Sequence, residues 1–104
     1  KACEAVKKEV KELNIIACNG LANLNQLKIL KSAGVDLYNH NLESSKKFYE
    51  SLCTTHSWEE RYQTCLHVKD AGLKLVCGGI FGLGESEDDR VSFVQSIKSL
   101  DPFT

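Results

Sequence analysis

Apolar positions recur along this chain in two alternating rhythms. Cys3, Val6, Val10 and Leu13 fall three or four apart, with Lys7, Lys8, Lys11 and Glu12 on the other side, so residues 2–13 are expected to form an amphipathic helix. Asn14 suits the left-handed residue that would end it. Ile15-Ile16-Ala17-Cys18, bounded by Asn19-Gly20, is a short apolar run and predicts a buried strand. The pattern repeats. Leu24, Leu27 and Leu30 mark a helix closing at Ala33-Gly34, and the run from Val35 to His40 predicts a second strand. Ser44 or Ser45 caps a short helix carrying Phe48, Tyr49 and Leu52. Ser57-Trp58-Glu59-Glu60 has the reciprocal spacing of a capping box and opens a helix with Tyr62, Cys65 and Leu66, closing at Ala71-Gly72. Leu73 to Cys77 is the third strand. Ser86 with three acids behind it starts a last helix, favourable to the helix dipole, whose stripe is Phe93, Val94, Ile97 and Leu100.

Helices alternating with short apolar strands define an α/β chain with a parallel sheet. Ala-Gly-aliphatic occurs at two helix-to-strand joints, 33–35 and 71–73, where glycine ends a helix and lets it pack close to the next strand. A (βα) barrel uses about 30 residues per unit and about 250 in all, so 104 residues hold about three units after one helix. An open doubly wound sheet has the same periodicity and stays open as the alternative.

Composition narrows the partners. The chain is 42% hydrophobic and 26% charged with net charge −1, which leaves no basic footprint for nucleic acid or an anionic membrane. No stretch approaches the ~20 apolar residues of a spanning helix, and no leader pattern is present. The expectation is a single-domain, soluble, cytoplasmic protein without nucleic-acid or membrane partners. The chain opens on Lys1, has no Met and closes on Asp101-Pro102-Phe103-Thr104, so it is expected to be a segment of something longer. Its cysteines are odd in number and widely spaced without CxxC, which argues for buried thiols over disulfides or a zinc ribbon.

In either architecture ligands bind beyond the carboxyl ends of the strands. Three polar clusters fall there: Cys18-Asn19-Gly20, the run from Tyr38 to Glu43, and the run from Cys77 to Glu85. Two amides, an imidazole and a carboxylate in five residues are costly to bury unless hydrogen-bonded, which favours binding of ribose hydroxyls or a polar substrate over a mere loop cap. The glycines at 78, 79, 82 and 84 allow close backbone approach. They match neither a Walker loop nor GxGxxG, and a strained turn explains them equally well.

YNHNLESS at 38–45, TTHSWEER at 54–61 and GGIFGLGESEDDR at 78–90 together resemble the biotin synthase family of radical S-adenosylmethionine (SAM) enzymes, in order and spacing, from about Leu13 onward. The resemblance implies that the chain is a parallel-sheet piece of a TIM-type radical SAM barrel: the third to fifth strands with their helices, lacking the units on either side. It implies SAM and a [4Fe–4S] cluster whose CxxxCxxC ligands are not in this chain. It implies a small-molecule substrate, dethiobiotin, into which sulfur is inserted from an auxiliary [2Fe–2S] cluster. By motif position, Asn41 and Glu43 would contact the SAM ribose, Asn41 also the dethiobiotin ureido ring, Arg61 the SAM carboxylate, and Gly78, Gly79 and Ile80 the adenine. Read without the family, Arg61 is a helix-surface ion pair with a neighbouring Glu.

The sequence departs from that family in three places. Cys18 matches one auxiliary-cluster ligand, but Val76 stands where the other cysteine belongs and Cys77 lies one place later. A one-residue offset turns a strand side chain to the opposite face unless a bulge restores it. Glu43 replaces the usual Asp, and the loop after Cys18 is about two residues short. Other radical SAM enzymes, of the hydrogenase-maturation or methylornithine-synthesis type, share the barrel without this cluster, and a non-catalytic binding module is the reading from another class. By itself the chain is expected to be inert, and its opened sheet edges to favour self-association, with a homodimeric parent. Cys53 and His56 have metal-like spacing but do not make a site, His67 is placed among solvent-facing positions, and Cys3 and Cys65 on packing stripes.

Overall fold

The computed structural model describes residues 1–104. In chain order the elements are α1 (Ala2–Glu9), β1 (Ile16–Ala17), α2 (Leu24–Ser32), β2 (Leu37–Asn39), α3 (Lys46–Leu52), α4 (Trp58–Asp70), β3 (Lys74–Val76) and α5 (Glu87–Leu100). The strands form one parallel sheet in the order β1-β2-β3, with Ile16 opposite Leu37, and Leu37, Tyr38 and Asn39 opposite Lys74, Leu75 and Val76. Sequential strands lying side by side with helices between them are the arrangement of a barrel wall, here an unclosed arc. Beyond β3 the main chain continues the pattern: Phe103 N donates to Leu75 O at 2.9 Å and Cys77 N to Thr104 O at 3.0 Å.

Alternation of side chains gives the sheet two unlike faces. Ala17, Tyr38, His40, Leu75 and Cys77 turn toward the helices and are all buried. With Leu27, Cys65, Val68, Phe93 and Leu100 they make the packed interior. The opposite face carries Ile16, Cys18, Leu37, Asn39, Lys74 and Val76, of which Leu37 alone is buried. That is the face a closed barrel would enclose.

Helix ends follow local chemistry. Ser57 with Glu60 forms the expected capping box, and Ser86 with Asp89 and Asn23 with Gln26 form two more. Of the two candidates at α3, Ser45 is the cap, accepting from Phe48 N at 3.1 Å. The first helix is shorter than its apolar spacing suggests. It ends at Val10, whose φ of −129° is not helical, and Asn14 is not left-handed. Nothing along α1 is buried, so little tertiary packing extends it. Lys7 instead spans the gap, donating to Leu13 O at 2.8 Å and pairing with Asp36 at 2.7 Å. On α5, Val94 is 55% exposed while Phe93, Ile97 and Leu100 face inward, which narrows the expected stripe by one residue.

Candidate functional site: a main-chain rim beyond strands two and three

The segments after β2 and β3 are tied together main chain to main chain. Gly78 O accepts from both Leu42 N (3.1 Å) and Glu43 N (3.3 Å), and Ile80 N donates to Glu43 O at 2.8 Å, a parallel bridge between Glu43 and Gly79. Asn41 completes the tie, its Oδ1 accepting from Gly78 N at 3.0 Å. Glu43 makes both of its bonds with a φ of +68°, a left-handed conformation that costs a residue with a Cβ roughly 1–2 kcal/mol. Strain of this kind persists where surrounding bonds over-determine it, and it collects at functional sites.

Arg61, one turn into α4, reaches this rim. Its Nε donates to Tyr49 Oη at 2.8 Å, its Nη1 to Asn41 O at 3.0 Å, and Nη1 lies 3.7 Å from Glu43 Oε1. The ion pair therefore runs to a distant loop and not to a neighbouring Glu on the helix. The structure thus brings Asn41, Glu43, Arg61, Gly78, Gly79 and Ile80 together at the carboxyl end of the sheet. The Ile80 side chain stands 52% exposed there. Asn41 keeps its amide N–H groups for a ligand, since its oxygen is occupied, and Glu43 keeps acceptor capacity.

The glycine loop has its own anchor. Glu85 accepts from Gly82 N and Leu83 N, each at 2.8 Å, and from Arg90 Nε at 2.9 Å. These donors, the Gly82 amide first, hold its carboxyl down to about 2. Gly82 and Gly84 have positive φ, which the turn requires. Phe81 packs edge-on against Phe93 with ring centroids 5.6 Å apart.

Cys18 and Cys77 are not brought together. Cys18 is exposed on the open face, where Asn39 Nδ2 donates to its sulfur at 3.6 Å. Cys77 is buried on the helix side with its Sγ 4.0 Å from that of Cys65. No bulge turns it back, and Val76 occupies the open-face position. The Cys65 thiol is pushed well above its usual range by the adjoining Cys77 sulfur and by burial. No three ligating side chains converge anywhere in the chain.

Sequence reasoning missed one contributor to the rim. Tyr49 resembles any packing residue of a helix stripe, and only the fold reveals that its hydroxyl meets Arg61. His67 is half-buried, its Nδ1 3.3 Å from Ala22 O, and does not face solvent as expected. Cys53 also differs from a bland packing thiol: Thr55 Oγ1 lies 3.3 Å away, and that hydroxyl, then the Tyr49 hydroxyl and backbone N–H groups, lower its thiol to about 6. Alkylation of Cys53 by iodoacetamide, followed by peptide mass spectrometry, should accelerate through about pH 6 and level off above it, because the thiolate is the nucleophile. A rate still climbing steeply beyond roughly pH 8, as for an ordinary thiol, would contradict this.

Residues 1–97 match the profile of the Radical SAM superfamily, and the chain belongs to that superfamily. It is similar to proteins named biotin synthase: 62% identical over 104 residues to that of Campylobacter lari, 60% to that of Nitratiruptor sp. and 54% to that of Aliarcobacter butzleri. Each match covers all of this chain and 37% of the relative, so the chain spans well under half the length of these proteins. Among solved structures, that of a methylornithine synthase superposes with a TM-score of 0.87 at 21% identity, covering 96% of this chain and 30% of the other. That likeness establishes the fold: an α/β arc of a TIM-type radical SAM barrel, with no helix long and apolar enough to cross a membrane.

Proposed function

We propose that this chain is the middle of the barrel of a biotin synthase-type radical SAM enzyme, which inserts sulfur into dethiobiotin to form biotin. The convergence of Asn41, Glu43 and Arg61 with the Gly78–Ile80 segment on one rim carries this reading, supported by 54–62% identity along the whole chain. The donor set fits an adenosyl ligand. Glu43 would accept from a ribose diol, a free Arg61 edge would hold an amino-acid carboxylate in fork geometry, and half-exposed Ile80 would cover a purine face. Asn41 would meet both the ribose and the ureido ring of the substrate. SAM, when bound and reductively cleaved, supplies a 5′-deoxyadenosyl radical for hydrogen abstraction; the residues of this chain bind, orient and exclude water.

The residues do not fit the iron–sulfur groups equally. The [4Fe–4S] ligands would lie outside this chain. For an auxiliary [2Fe–2S] cluster, Cys18 has a suitable position but Cys77 faces the wrong way, and no step is assigned to that pair. This departure favours, as a second reading, another radical SAM reaction on the same scaffold. Free thiols, including two at 4.0 Å, suit a reducing cytoplasm, and the open sheet edges suit self-association with a homodimeric parent.

The full-length protein should restore growth to a biotin auxotroph. Failure to do so with SAM cleavage intact would select the second reading; failure to bind or cleave SAM would sink both.

A further inference from the structure

We propose that Tyr49 is a positioning residue that aims the Arg61 guanidinium at the carboxylate of the adenosyl ligand, so that its hydroxyl sets affinity for the amino-acid end and not for the nucleoside end. This rests on the adenosyl reading above. An arginine on a helix surface has many rotamers to give up before it can present a fixed fork. Here that freedom is already spent. Tyr49 is 2% exposed on α3, so its hydroxyl is fixed in space, and it accepts Nε–H at 2.8 Å while Asn41 O accepts from Nη1 at 3.0 Å. The guanidinium carbon lies 5.7 Å from the centre of the Tyr49 ring. Nε is engaged by Tyr49 and Nη1 by the Asn41 carbonyl, whereas Nη2 has no protein acceptor, which leaves guanidinium donors beside the rim for a carboxylate.

The Glu43 carboxylate, 3.7 Å from Nη1, balances the charge without a tight hydrogen bond, so it does not draw the free edge inward. Tyr49 itself is a phenol kept protonated by burial, able to accept from Arg61 and donate onward. Its place is secured by the Ser45 cap of α3, and Ser45 Oγ in turn donates to Asp89 Oδ1 at 2.7 Å, linking α3 to α5.

Tyr49→Phe keeps the ring and deletes one acceptor. In the full-length protein, equilibrium binding of S-adenosylhomocysteine should weaken about tenfold, the order of one hydrogen bond to a charged group. Binding of 5′-methylthioadenosine, which lacks the carboxylate, should stay within about twofold. The KM for SAM should rise in the same proportion and that for the second substrate should not. On an Arg61→Lys background Tyr49→Phe should add nothing. Equal weakening of both nucleosides, or an unchanged affinity for S-adenosylhomocysteine, would overturn the assignment of Tyr49 alone. A parent protein that binds neither nucleoside would overturn the adenosyl reading and this inference with it.

Discussion

Gly79→Ala should destabilise the protein by about 1–3 kcal/mol and loosen the rim, although it adds only a methyl group. A Cβ built on Gly79 would lie 2.5 Å from Phe93 Cζ, 2.6 Å from Phe93 Cε2 and 2.7 Å from Glu43 O. Two of those atoms belong to a buried ring, and the third is a carbonyl already accepting from Ile80 N. None can move away cheaply, so either α5 shifts outward or the bridge between Glu43 and Gly79 opens. Gly78→Ala is the internal control. Its Cβ would meet nothing nearer than Asn41 Oδ1 at 3.7 Å, and its φ is not positive, so its effect should stay within about 0.5 kcal/mol. Urea midpoints of the two variants read the difference. Equal midpoints would mean that the backbone yields where the packing says it does not.

Acidification from pH 6.5 to 4 should remove up to about 3 kcal/mol of stability through His40 alone. His40 is 5% exposed and its Nε2 has no hydrogen-bond partner. Burial first, then the nearby Arg61 and His56, lowers its proton affinity from 6.5 to about 4. The unfolded chain therefore takes up a proton before the folded one does. The contribution is complete above 6.5, declines as pH falls, and is gone near 4. The Glu85 carboxylate acts in the same direction but in a lower window, from its ordinary value toward about 2. Urea titrations at intervals of pH, with His40→Gln as comparison, check this. The variant should show a flatter profile between 6.5 and 4, and a flat profile in the parent would refute it.

Much of this molecule could be read from its letters because the relevant signals are local. Capping boxes act within four residues, and strand alternation sets the offset Cys77 on the opposite face from Cys18 wherever no bulge intervenes. What could not be read depends on contacts across the chain. Tyr49 and Arg61 are twelve positions apart, and no local pattern distinguishes a tyrosine that packs from one that also orients a guanidinium. The early end of α1 is of the same kind: Val10 and Leu13 keep helical spacing, yet they are 52% and 48% exposed, and spacing without burial does not hold a helix together. Val94 fits the helical stripe yet stands exposed, because a regular stripe does not reveal where its neighbours stop.

The rim is held mainly by peptide groups: the Gly78 carbonyl shared by two amides, and the Glu43 carbonyl bonded to Ile80. Where a side chain stands clear of its neighbours, as at half-exposed Ile80, another residue tolerating the same torsions supplies the same scaffold, whereas Gly79 and Asn41 are fixed by their own contacts. A barrel sharing its shape at one-fifth sequence identity is the kind of outcome such a division of labour permits. Ligand preference here can drift while architecture stays put.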